Sequence, residues 1–170
     1  PPTLRRQRQM CIRDRSDRVC YGGDLNRIQE QTYREHILAQ DDYDLDRFIF
    51  TGRVEPNQLV DVFSMSDLHI YLTVPFVLSW SMMNALSCGC TVLGSATPPV
   101  LEMLHHGENG LTADFFDVDA LTEQALTVLE DPEKYRHLGE AGAQMIRERY
   151  SLDVCLPKML ELYEKTLSAA

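Results

Sequence analysis

The run LHIYL at residues 68–72 constrains the fold more than any other stretch, because its apolar residues do not alternate with polar ones beyond His69. A strand without a polar face is buried on both sides, as in parallel sheets covered by helices. A loop containing Pro75 follows, then the helix-period segment WSMMNALSC, then a second apolar strand, TVLGS, at 91–95. Parallel neighbours need such a crossover, and crossovers of this kind are right-handed.

The scheme recurs on either side. RVCYGG at 18–23 predicts a strand running into glycines, and LNRIQEQTYREHILAQ a helix with Leu25, Ile28, Tyr33, Ile37 and Leu38 at its apolar positions. DDYDLDRFIFTGRV predicts an acidic linker and a buried strand around Phe48–Phe50, ended by Gly52. EPNQLVDVFSMSD predicts a helix capped by Asn57, with Leu59, Val60, Phe63 and Met65 on or near one face. ATPPVLEMLHHGENGLTA predicts a short helix, an Asn109-Gly110 turn and a last strand. Beyond Asp114 the pattern is helical, with starts marked by Asp117, by Asp131 or Pro132, and by Ser151. About five strands alternating with helices predict an α/β fold. The expected form is a doubly wound, Rossmann-like parallel sheet with ligand groups at the carboxyl ends of its strands. Its first strand is expected to be lacking, because such sheets begin with a strand and helix not seen here.

A chain of 170 residues suits one domain. Residues 17–170 are expected to form it, with residues 1–16 a non-native, disordered tail. RQRQMCIRDR in that tail resembles a translated sequencing adapter, and it concentrates arginine in an otherwise acidic chain. Without residues 1–15, 11 basic and 25 acidic residues remain, a formal charge of −14. That charge argues against nucleic acid as a partner. No window is apolar enough to span a bilayer, and the basic start lacks the apolar stretch of a secretory signal. Five cysteines, an odd number, argue against a disulfide framework and for a reducing, cytoplasmic compartment. Cys88 and Cys90 lack zinc or thioredoxin spacing and read as small core fillers around a tight Gly89 turn. The adjacent His105 and His106 point about 100° apart in a helix and cannot chelate together; His69 reads as a satisfied core or edge histidine. Asp41, Asp42, Asp44 and Asp46 lack the glycine and glutamate of a calcium loop. No metal site is expected.

Chemistry concentrates at VPFVLSWSMMNALSCGC, residues 74–90. Pro75 cannot join a ladder, so 73–78 is the loop leaving the sheet's carboxyl edge, and Ser79 or Ser81 caps the following helix. The unpaired N–H groups at a helix start, with roughly half a positive charge from the macrodipole, suit an anion such as a phosphate.

FTGRV, VPFVLSWSMMNALSCGCTVLGS, TPPVLEMLHHGENGLTADFFDVDAL and MIRERYSLD occur in the order and spacing of one family. From about Val19 to Leu167 the chain resembles the C-terminal domain of family-four, or group one, glycosyltransferases of GT-B architecture. The resemblance implies a donor-binding half of a retaining enzyme that takes a nucleotide-diphosphate sugar. It implies no cofactor or metal, and an acceptor domain N-terminal to this one, through which any membrane contact would run. It places base and diphosphate contacts on Gly52, Arg53 and Val54, and donor contacts on Phe76, Val77, Leu78, Ser79 and Asn84. The family's two loop acids fall on Phe76, at the sugar position, and Asn84, at the ribose position; neither is acidic here. Arg53 has a planar fork suited to phosphate, and pairing with Glu55 is the competing role. Glu102 matches a family acid near the start of a short helix, where capping outweighs catalysis. The catalytic residue stays unassigned. The rival reading is a decayed, non-catalytic transferase domain serving as a scaffold, which the loss of both acids favours. A flavodoxin-like receiver is excluded, because the strand ends carry Gly22, Gly52, Leu72 and Ser95 rather than a phospho-accepting aspartate.

Overall fold

The computed structural model describes residues 10–12, 33–39, 43–52, 54–75 and 77–168. Its contacts divide the chain into two compact units, Pro1–Leu59 and Val60–Ala170, where the sequence suggests one body over 17–170.

In the first unit, β1 (Met10–Ile12) pairs in parallel with β2 (Phe48–Phe50), Met10 opposite Phe48 and Ile12 opposite Phe50. The three residues of β1 fall within the stretch 1–16 that the sequence reading sets apart as a tail. Helix α1 (Tyr33–Leu38) is the end of the helix expected from Leu25 onward. The strand expected at 18–23 and the rest of that helix lie outside the described residues. Aromatic packing organises the unit: Phe48 and Phe50 stack at 6.3 Å, and the Arg34 guanidinium lies 3.5 Å over the Phe50 ring. Within the acidic stretch, Asp44 precedes a 3-10 turn at Leu45–Arg47 and lies 3.7 Å from Arg47, both exposed.

Helix α2 (Pro56–Met65) starts two residues earlier than an Asn57 cap predicts, because proline's fixed φ and missing N–H suit a first helical position. Of its expected apolar face only Phe63 is buried; Val60 and Met65 are exposed.

The second unit is built on a three-stranded parallel sheet in the order β3-β4-β5, formed by His69–Tyr71, Val92–Ser95 and Leu111–Ala113. Central β4 is buried along its whole length. At one end of this sheet, β3 departs from the double-sided burial expected of LHIYL: Ile70 and Leu72 are exposed while Tyr71 is buried. Helix α3 (Trp80–Ser87) connects β3 to β4 and buries Met82, Ala85 and Leu86. It ends in a Schellman arrangement, Cys90 N–H bonding to Ala85 O and Gly89 N–H to Leu86 O, with Gly89 at φ 76°. The short helix α4 (Pro98–Leu101) precedes the Asn109-Gly110 turn, in which buried Asn109 accepts from the His105 amide and donates to the Met103 carbonyl.

Three helices complete the unit. Helix α5 (Val118–Glu130) is capped by Asp117, whose carboxylate accepts from the Ala120 amide. Helix α6 (Pro132–Arg149) follows Asp131 with Pro132 in its first turn, and α7 (Leu152–Ser168) begins directly after Ser151. Leu93, Leu111, Val128 and Leu138 form a buried cluster joining sheet, α5 and α6. Each contributes about 2 kcal/mol of burial.

The tightest contact is between α6 and the end of α3. A Cβ on Gly139 would fall on the Gly89 carbonyl, and one on Gly142 would come within 2.7 Å of Leu86 Cδ2. Replacing Gly139 by alanine therefore gains about 1 kcal/mol of helix propensity but forces backbone apart. Gly139→Ala is expected to cost about 2 kcal/mol net. Urea denaturation measures this, and an undisturbed midpoint would show that α6 does not need this seat.

Candidate functional site

The carboxyl edge of β3 and the start of α3 make the site. Ser79 has extended dihedrals (φ −79°, ψ 145°), and its Oγ accepts from the Ser81 amide at 3.2 Å, so of the two serines expected to cap, Ser79 does. The Ser79 amide donates to Tyr71 Oη at 2.9 Å. Ser81 Oγ lies 3.2 Å from His69 Nε2. His69 and Tyr71 are two residues apart on one strand and so share a face. On the neighbouring strand, fully buried Ser95 receives the Thr73 amide on its Oγ and donates that hydroxyl to the Thr73 carbonyl, at 3.0 and 2.9 Å. Loop 73–79 is thereby pinned at both ends.

His69 packs edge-on to Phe63 at 5.0 Å, and burial pushes its pKa down to about 4. The ring is neutral at pH 7, a satisfied histidine as the sequence suggests. Cys90 is also buried, which raises its thiol to about 12, so it is a packed thiol and not a nucleophile.

The entrance is open: Val77 is 77% and Trp80 78% exposed, and Leu78, Ser79 and Asn84 are half-buried. Asn84 is four residues beyond Trp80, on the same side of α3, and its side chain makes no hydrogen bond among the described residues. Of the residues expected to bind donor, Val77, Leu78 and Ser79 stand at the start of α3 and Asn84 one turn along it. Phe76 and Arg53 lie outside the described residues. Gly52, at φ 59°, and Val54 are both half-buried and belong to the first unit.

Two expectations change in detail. Backbone amides around Val77 to Ser79 are expected to take part in binding, and that of Ser79 is taken by Tyr71. Glu102 stands at the C-terminal end of the four-residue α4, not near its start, so the helix dipole does not favour it there. Sequence reading missed the supports: Tyr71, Thr73 and Ser95, and the partner of His69. For the strand residues the signal is faint, hydroxyl and ring-nitrogen tips spaced two apart at His69, Tyr71 and Thr73 in LHIYLT. It also missed Thr97, 6% exposed between β4 and α4, whose hydroxyl has no hydrogen-bond partner among the described residues. His105 and His106 are exposed, and His106 Nδ1 accepts from the Thr112 amide at 3.0 Å. Among the described residues no helix is long and apolar enough to cross a membrane.

Residues 18–145 match the family described as Glycosyl transferases group 1, and the chain belongs to that family. It is 24% identical over 122 residues to N-acetyl-alpha-D-glucosaminyl L-malate synthase of Bacillus anthracis, covering 72% of this chain and 32% of that protein. To 2-deoxystreptamine N-acetyl-D-glucosaminyltransferase of Streptomyces fradiae it is 27% identical over 125 residues, covering 74% and 30%. Among solved structures, sucrose-phosphate synthase from Thermosynechococcus elongatus superposes with a TM-score of 0.70 at 24% identity, over 88% of this chain and 38% of that one. Anabaena HepE in complex with UDP-glucose superposes with a TM-score of 0.66 at 17% identity, over 81% and 36%. The chain spans about a third of the length of the proteins it matches. These likenesses agree with the Rossmann-like α/β fold of a GT-B C-terminal half.

The low pKa of His69 gives stability a definite pH dependence. An unfolded chain takes up the proton near pH 6.5, the folded one only near pH 4, so the contribution of the neutral ring is complete above about pH 6.5 and lost as pH falls towards 4. It is on the order of 3 kcal/mol. Unfolding curves of the parent and His69→Leu at pH 7 and pH 4.5 measure it: the parent is expected to lose more stability than the variant. Equal losses would place a charged or exposed imidazole here.

Proposed function

We propose that this chain is the donor-binding part of a retaining glycosyltransferase, which moves a sugar from a nucleotide-diphosphate sugar to an acceptor. The observation that supports this most is the open, Ser79-capped start of α3 at the carboxyl edge of a parallel sheet, in a member of the group 1 family. Amide donors and the helix dipole there are arranged before any charge develops, which favours a departing diphosphate. In this reading Val77, Leu78 and Ser79 line the diphosphate position, with Phe76 beside the sugar and Asn84 facing the ribose. Arg53 meets phosphate, and Gly52 and Val54 meet the base. The acceptor and any membrane contact belong to a further domain, the donor is the substrate with no added cofactor, and the compartment is cytoplasmic. The acidic charge speaks against nucleic acid as a partner.

One observation favours a second reading, a non-catalytic scaffold: Phe76 and Asn84 stand where the family resemblance puts acids. An amide accepts hydroxyl hydrogen bonds without the charge that raises such bonds to about 1.5–3 kcal/mol.

Trp80, the single tryptophan, reports on the site directly. Titration with UDP, the nucleotide that the HepE structures hold, is expected to change its fluorescence saturably. Asn84→Glu should tighten binding about tenfold by restoring a charged acceptor, and Arg53→Ala should weaken it by a similar factor. No response to UDP or GDP by the parent or Asn84→Glu would favour the scaffold.

A further inference from the structure

Resting on the donor-site reading above, we propose that Tyr71 and His69 are positioning residues: together they mount the first turn of α3 on β3, so that its rim faces the diphosphate. A helix start leaves its first N–H groups without internal partners, and how each is settled decides what a ligand meets. Here the Ser79 amide turns inward to Tyr71 Oη, and the Ser81 amide is taken by Ser79 Oγ. The Ser81 hydroxyl is held in turn by His69 Nε2. Residues 79 and 81 are therefore drawn towards the sheet, and Trp80 between them is thrown outward, 78% exposed, while Met82 is fully buried. The Trp80 amide has no partner among the described residues, which makes it the donor left at the rim.

Neither Tyr71 nor His69 needs to touch the nucleotide. Tyr71 is 8% exposed, and each acts through a serine. Their effect is preorganisation: with both bonds made, loop 73–79 and the first turn are already in place, and binding does not have to order them. Thr73, held through Ser95, fixes the other end of the same loop. The mount is specific to the phosphate end of the ligand, because the residues it orders are those at the helix start. Phosphate affinity and nucleoside affinity should therefore separate when it is damaged.

The test uses the full chain and two probes, UDP and uridine, titrated by NMR against the parent, Tyr71→Phe, His69→Leu and His69→Gln. Tyr71→Phe keeps ring and volume but removes the hydroxyl; His69→Leu removes the ring nitrogen; His69→Gln returns a polar nitrogen at similar reach. Circular dichroism confirms that each variant is folded. Tyr71→Phe and His69→Leu are expected to weaken UDP about five- to tenfold, the effect of one lost hydrogen bond, and uridine by less than about twofold. His69→Gln is expected to stay within about twofold of the parent for both probes. Unaltered UDP binding in Tyr71→Phe and His69→Leu overturns the proposal. So does an equal loss of UDP and uridine, or a His69→Gln variant as weak as His69→Leu, since either describes a merely structural pair. A parent chain that binds no UDP at all overturns the donor-site reading itself, and the mount's role with it.

Discussion

Helix α6 reaches the backbone that closes α3, and this approach is open only to glycine. At Gly139 a side chain would occupy the place of the Gly89 carbonyl, and at Gly142 it would meet Leu86. Gly89 itself sits at positive φ in the turn that ends α3, where a Cβ would be strained. Three glycines thus let two helices and a turn meet without a layer of side chains between them. With α6 behind it, α3 cannot slide along its own axis, and the position of its first turn is determined from the far end.

From the near end the constraint is polar. Tyr71 and His69 engage residues 79 and 81, and Ser95 engages Thr73, so the strand is tied to the residues that lead into the helix and to its first turn. Apolar packing alone would leave the rotation of α3 loosely specified, whereas hydrogen bonds have narrow geometry. The outcome is a helix start with exposed Val77 and Trp80 rather than one folded into the interior. On the proposed donor-site reading, a cap held in this way puts electrostatic stabilisation in place before the leaving group departs.

What the sequence made legible was local chemistry. The Ser79 and Asp117 caps, the proline start of α6 and the Gly89 turn follow from residues within a few positions of one another. The strands at 92–95 and 111–113 follow from apolar runs between turn signals. Tertiary facts were less visible. LHIYL reads as buried on both faces because an apolar run does not reveal that its strand lies at one end of a sheet. Asn109 reads as a turn residue, and nothing local shows its side chain spanning Met103 and His105. Glu102 was set at the wrong end of α4 because that helix closes after four residues. The supports from Tyr71, His69 and Ser95 join positions 8 to 22 residues apart, beyond any local rule.

The central claim is that backbone amides at the start of α3 hold a diphosphate. Two-dimensional NMR of the uniformly nitrogen-15-labelled chain, with UDP added in steps, tests it at single residues. The account predicts that the largest amide shifts fall on Val77, Leu78 and Trp80, with little change along α6 and α7. Shifts concentrated elsewhere while these three amides stay still would contradict it.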